Sequence, residues 1–172
     1  GASTDFAYGV GGWSVPAGTA PITEPDTNLF IGTGAGNLTL SGAQNIPAEQ
    51  DLVIRAAKLL QSKTQTNFGC TIELKKKIPM GAGLGGGSSD AASVLWGLNE
   101  LWETGFSRQE LMTLGLQLGA DIPFFLLGKN AFAEGVGEVL QPLELSEKTV
   151  FVIYPQTHIP TVDVFKSPDL TR

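Results

Sequence analysis

The chain has 172 residues, with 11 Lys and Arg against 17 Asp and Glu and a net charge of −6 at pH 7. That length suits one domain, or one domain with a piece of another, and is enough to bury a core. The acidic balance argues against a broad phosphate-neutralising surface, so nucleic acid is not an expected partner and any anion site must be local.

Cys70 is the only cysteine, which excludes an internal disulfide and fits a reducing cytoplasm. No apolar run reaches the length of a membrane span, so no membrane partner is expected, and the start lacks a signal-peptide pattern. The chain opens on Gly1 without a Met, which suggests a fragment or a processed chain.

Residues 1–36 are rich in Gly, Ala, Thr and Pro with little periodicity, and read as loop with weak strands at best. Leu38 to Leu40 suggests a short strand before a turn at Ser41-Gly42. Leu52, Val53, Ala56, Ala57, Leu59 and Leu60 form one helical face, predicting a helix over about Glu49 to Ser62. Thr71 to Ile78 alternates, with Ile72 and Leu74 on one side, and predicts a strand.

The run Pro79-Met80-Gly81-Ala82-Gly83-Leu84-Gly85-Gly86-Gly87-Ser88-Ser89-Asp90 follows that strand. Ala91, Val94, Leu95, Leu98, Leu101 and Trp102 then recur at helical spacing. Ser107 to Glu110 has the pattern of a capping box, opening a second helix through Leu111, Leu114 and Leu118, which Gly119 can end. A short helix is expected over Ile122 to Leu127, and strands over Ala131 to Glu134 and Thr149 to Tyr154.

Glycines between a strand and a helix let backbone amides approach a ligand without Cβ clashes, and the first amides of the helix add partial positive charge. Together they suit phosphate. Ser88 and Ser89 can cap the helix or donate to a phosphate. Two other readings of the run stand beside this one. One is a plain glycine turn with capping serines, although a cap needs only one serine. The other is a dinucleotide fingerprint, since Gly81, Gly83 and Gly86 satisfy its spacing, but the second strand it requires does not follow. A Walker A loop is excluded, because no Gly-Lys-Ser/Thr is present.

The run Pro79 to Ala92 resembles the second motif of the GHMP kinases. Leu118-Gly119-Ala120-Asp121-Ile122-Pro123-Phe124-Phe125 resembles the catalytic segment of one branch, whose substrate is a cytidine diphosphate-linked methylerythritol. Ala131 to Glu138, Ile159-Pro160-Thr161 and Val164-Phe165 resemble later segments of the same branch, in matching order. The resemblance implies an α+β fold, a mixed sheet packed by helices as in the GHMP kinase N-terminal domain. It implies a poorly matching segment over 1–36, an ATP-binding domain over 37–153 and the start of a C-terminal domain over 154–172, most of which is missing. The implied reaction is ATP-dependent phosphorylation of the small molecule's 2-hydroxyl, within non-mevalonate isoprenoid biosynthesis, in a cytoplasm or plastid stroma.

By the same resemblance, Asp121 is the base on the acceptor hydroxyl. From the residues alone, an N-cap on the following helix is an equal alternative. Lys76, Pro79, Met80, Gly81, Gly83, Leu84, Gly85, Gly86, Gly87, Ser88 and Ser89 are implied to hold ATP, which brings Mg2+, with no dedicated protein metal site. Lys75 to Lys77 could equally be a solvated strand edge. Asp51 stands where the family often has an Asn near the base. Val136, Thr161 and Phe165 are implied to line the substrate, although Phe165 could instead anchor a terminal segment. Residues 1–50 lack the family's Pro-Ala-Lys-Leu-Asn strand and Gly-Tyr-His turn, and Gly32-Thr33-Gly34-Ala35 only superficially resembles its third glycine motif. Those gaps keep in play a non-catalytic nucleotide-binding remnant; a GHMP kinase for another alcohol is a further expectation, against which the Gly85-Gly86-Gly87-Ser88-Ser89-Asp90 run and the Phe165 segment argue.

Overall fold

The structure is a computed structural model that describes residues 6–9, 12–14, 29–42, 47, 49–76, 78, 83–146, 149, 151 and 153. Strands β1 (Phe6–Gly9), β2 (Gly12–Ser14), β3 (Leu29–Ala35), β4 (Leu38–Ser41) and β5 (Phe68–Leu74) form a sheet of order β2-β1-β3-β5-β4. Helix α1 (Leu52–Thr64) joins β4 to β5, which pair in parallel, while the other neighbours in the sheet are antiparallel. A parallel pair needs such a crossover, because a tight turn can only reverse the chain. Helices α2 (Gly86–Leu101), α3 (Arg108–Leu116) and α4 (Ile122–Leu127) follow, then a hairpin of β6 (Ala131–Glu134) and β7 (Val139–Pro142). The expected α+β class, a mixed sheet packed by helices, is what forms.

The core lies between the sheet and α1 and α2. Cys70, Ile72 and Leu74 point inward from β5, as strand alternation requires. They meet Val53, Ala56, Ala57 and Leu60 of α1 and Ala91, Val94, Leu95 and Leu98 of α2. The alanine pairs carry little side chain, which lets α1 and α2 approach closely. Leu111 and Leu114 of α3 and Ile122 and Leu126 of α4 extend the same cluster. Burial pushes the Cys70 thiol up to about 12, so it behaves as a small apolar side chain.

Several local expectations shift. Residues 29–35 form a seven-residue strand rather than loop, because Ile31 enters the core and the whole of β3 finds a partner in β5. The Gly32-Thr33-Gly34-Ala35 stretch lies within that strand. β5 begins and ends earlier than Thr71 to Ile78. At its start, Gly69 lets the backbone of Asn37 come close enough that any Cβ would clash, and the Cys70 amide donates to Asn37 O at 2.9 Å. At its end, Leu74 pairs with Leu29, the first residue of β3, so the ladder runs out before Lys75.

β7 was not expected from the sequence. Conversely, Thr149, Phe151 and Ile153 carry no strand; Phe151 and Ile153 are 91% and 79% exposed, and no strand runs beside them among the described residues. The rest of the expected strand over Thr149 to Tyr154 lies outside the described residues. α1, α2 and α4 fall close to their expected spans, and α3 ends at Leu116, slightly before Gly119.

Candidate active site

The site begins where β5 ends. The chain leaves β5 at Leu74 and passes Lys75 and Lys76, and α2 begins at Gly86. The N-cap of α2 is Gly85, in the left-handed region at φ 69°, and no side chain caps the helix. Ser88 and Ser89 therefore sit inside the first turn of α2 rather than at its cap, half-buried. An L side chain at position 85 would be strained by that φ. Its Cβ would also come within 2.7 Å of the Phe125 ring.

Phe125 belongs to α4, whose N-cap position is held by Asp121. Asp121 is exposed, and its carboxylate makes no capping bond, so its side chain is not committed to the helix. Only its carbonyl is engaged, accepting from the Phe125 amide at 3.4 Å. Of the two readings open at position 121, the capping one is not observed.

Gly83, Leu84 and Gly85 from the loop, Ala120, Asp121, Phe124 and Phe125 around the start of α4, and Ala133 and Gly137 from the β6–β7 hairpin enclose a cleft of about 330 Å3. That size lies in the usual range for small-molecule sites. Phe124 and Phe125 meet edge to face, their centroids 5.5 Å apart, and supply apolar lining to the cleft that Asp121 also lines. Their role is legible in the sequence only afterwards: three and four residues beyond Asp121 is the same face of a helix.

Other expected site residues fall elsewhere. Gly86, Gly87, Ser88 and Ser89 lie in the first turn of α2, next to the cleft wall but not on it. Val136 sits at the hairpin turn, 71% exposed, while its amide donates to Glu138 Oε2 at 2.7 Å; its neighbour Gly137 reaches the cleft. Asp51 is buried as the N-cap of α1, accepting from the Val53 amide at 2.8 Å. Nζ of Lys76 donates to Oδ2 of Asp90, a partner the sequence reading did not single out. Burial pushes the Asp90 carboxyl up, Lys76 pulls it back and Asp51 adds a smaller upward push. Pro79, Met80, Gly81, Thr161, Phe165 and the sole histidine, His158, lie outside the described residues. No helix among the described residues is long and apolar enough to cross a membrane.

Gly83–Gly85, ahead of α2, and Asp121, ahead of α4, thus line one cleft. Residues 51–129 match the GHMP kinases N terminal domain. Over a longer stretch the chain is similar to 4-diphosphocytidyl-2-C-methyl-D-erythritol kinases. It is 58% identical over 132 residues to the one from Janthinobacterium sp. (strain Marseille), covering 74% of this chain and 46% of that protein. It is 56% identical over 127 residues to the one from Ralstonia nicotianae (strain ATCC BAA-1114 / GMI1000), covering 74% and 44%. A crystal structure of 4-(cytidine 5'-diphospho)-2C-methyl-D-erythritol kinase aligns at a TM-score of 0.57 and 42% identity, over 70% of this chain and 46% of that one. The chain thus spans less than half the length of the curated relatives it matches.

Proposed function

We propose that this chain carries the phosphoryl-transfer site of a kinase that moves the γ-phosphoryl group of ATP to the 2-hydroxyl of 4-diphosphocytidyl-2-C-methyl-D-erythritol. The observation that carries the proposal is the cleft shared by Gly83–Gly85 and Asp121. In this reading the ATP-binding unit is residues 37–153 with β3 completing its sheet. The loop amides hold the phosphates, and the first turn of α2, with Ser88 and Ser89, adds donors. Asp121 accepts the proton of the acceptor hydroxyl while that oxygen attacks the γ-phosphorus and ADP departs. Val136, Thr161 and Phe165 belong to the substrate side.

Magnesium fits as an ion that arrives with the nucleotide. No group of three His, Cys, Asp or Glu side chains able to hold a metal occurs among the described residues. Magnesium is commonly held by substrate phosphates, waters and one or two protein oxygens, for which the Ser88 and Ser89 hydroxyls and the Asp121 carboxylate are the nearby donors. When bound, it supplies neutralisation of the phosphate charge.

Incubation with Mg2+, ATP and the diphosphocytidyl alcohol should yield ADP and the 2-phosphate. Asp121→Asn should lower that rate by about 10²–10⁴-fold while leaving ATP affinity within about twofold. Undiminished turnover would refute the catalytic role. Residues 1–50 contain no Pro-Ala-Lys-Leu-Asn strand and no Gly-Tyr-His turn, and this favours a second reading, nucleotide binding without catalysis. ATP would then raise the melting temperature while no ADP forms. Product from a different alcohol, and none from this one, would redirect the substrate assignment within the GHMP kinases.

A further inference from the structure

Two opposite charges bracket the glycine-serine loop. Lys76 stands two residues beyond β5, and Asp90 lies in the second turn of α2. They form the one ion pair among the described residues, with their side chains 13% and 19% exposed. Exposed pairs contribute little, because water screens them and two mobile chains must be ordered. A withdrawn pair behaves differently, since removing one member leaves the other charge without a partner or its full hydration. The Asp51 carboxylate, buried at the start of α1, adds negative potential on the same cluster. The Lys76 ammonium therefore already has a counter-charge, which offsets much of its attraction for a phosphate.

We infer that Lys76 and Asp90 are positioning residues: their ion pair fastens the chain beyond β5 to α2 and so fixes Gly83–Gly85 and the first turn of α2 for the phosphates, with the lysine engaged by Asp90 rather than by the phosphates. This rests on the ATP-binding reading proposed above. A lysine that touches phosphate directly predicts the opposite behaviour at position 90, and that difference makes the inference testable.

The test titrates ATP into the wild-type chain, Lys76→Met, Asp90→Asn and the double variant. Each single change should weaken ATP about tenfold, and the double variant should be no weaker than either, because one shared interaction has been removed. Lys76→Arg, which keeps the pair, should restore most of the affinity. ATP binding that is unchanged or tighter in Asp90→Asn overturns the inference in favour of a direct lysine contact. Amide hydrogen exchange provides a second readout without nucleotide. Gly83 to Ser89 should exchange faster in Asp90→Asn and in Lys76→Met, while the amides of α3 keep their wild-type rates. Unchanged exchange at the loop overturns the clamp, and so does equal acceleration at α3, which marks a general loss of stability. Failure of the wild-type chain to bind ATP would sink the kinase reading, and the exchange experiment would still decide the clamp.

Discussion

Helices α2 and α3 both open near serines, and they open in opposite ways. α3 closes its own start: Ser107 accepts from the Glu110 amide at 3.3 Å, and Glu110 Oε2 accepts from the Ser107 amide at 2.8 Å. Hydrogen bonds from the Ser107 hydroxyl and amide hold the Glu110 carboxyl below the usual carboxylate range. α2 has no such closure. Its cap is a left-handed glycine, its serines lie past the cap, and no side chain among the described residues caps it. One start is finished for stability. The other has no side-chain cap among the described residues and lies next to the cleft lined by Gly83–Gly85 and Asp121. A helix start left open in this way lowers stability locally, and it is tolerated where a ligand completes it.

Three substitutions press on that contrast. The largest effect is expected from Gly85→Val. A β-branched residue at φ 69° costs about 1–3 kcal/mol of backbone strain, and its side chain would run into the Phe125 ring. ATP affinity should fall by at least about tenfold, read by calorimetric titration. Undisturbed binding would mean that this backbone does not face the nucleotide. Ser107→Ala comes next, with an expected loss of about 1 kcal/mol in denaturant unfolding, since it opens the capping box. The smallest change in stability is expected from Ser89→Ala, within about 0.5 kcal/mol, because that serine caps nothing. A loss at Ser89 as large as that at Ser107 would erase the distinction between the two helix starts.

Periodic segments were the most legible parts of the fold. The apolar faces of α1 and α2, the Ser107 box and the Ile122–Leu127 helix could all be read directly, because each depends on neighbours within a few residues. β3 could not. Its glycines look like loop chemistry, and only the ladder to β5, some forty residues away in sequence, turns them into strand. The end of β5 was missed for the same reason, since it is set by where β3 begins. At the site, the glycine run and Asp121 stood out as motifs. The contact of Phe125 with Gly85 and the engagement of Lys76 by Asp90 did not, because each joins segments that lie apart in the chain.

By itself the sequence determined the helical faces, the glycine loop between a strand and a helix, the carboxylate at position 121 and the family resemblance these carry. Local patterns are enough for such features, because they express the geometry of single elements. The tertiary structure decided that Asp121 and Gly83–Gly85 share one cleft, that the serines of α2 are not its caps and that Lys76 is already paired. Those outcomes depend on which distant groups packing brings within reach of one another, and no local pattern in the chain contains that information.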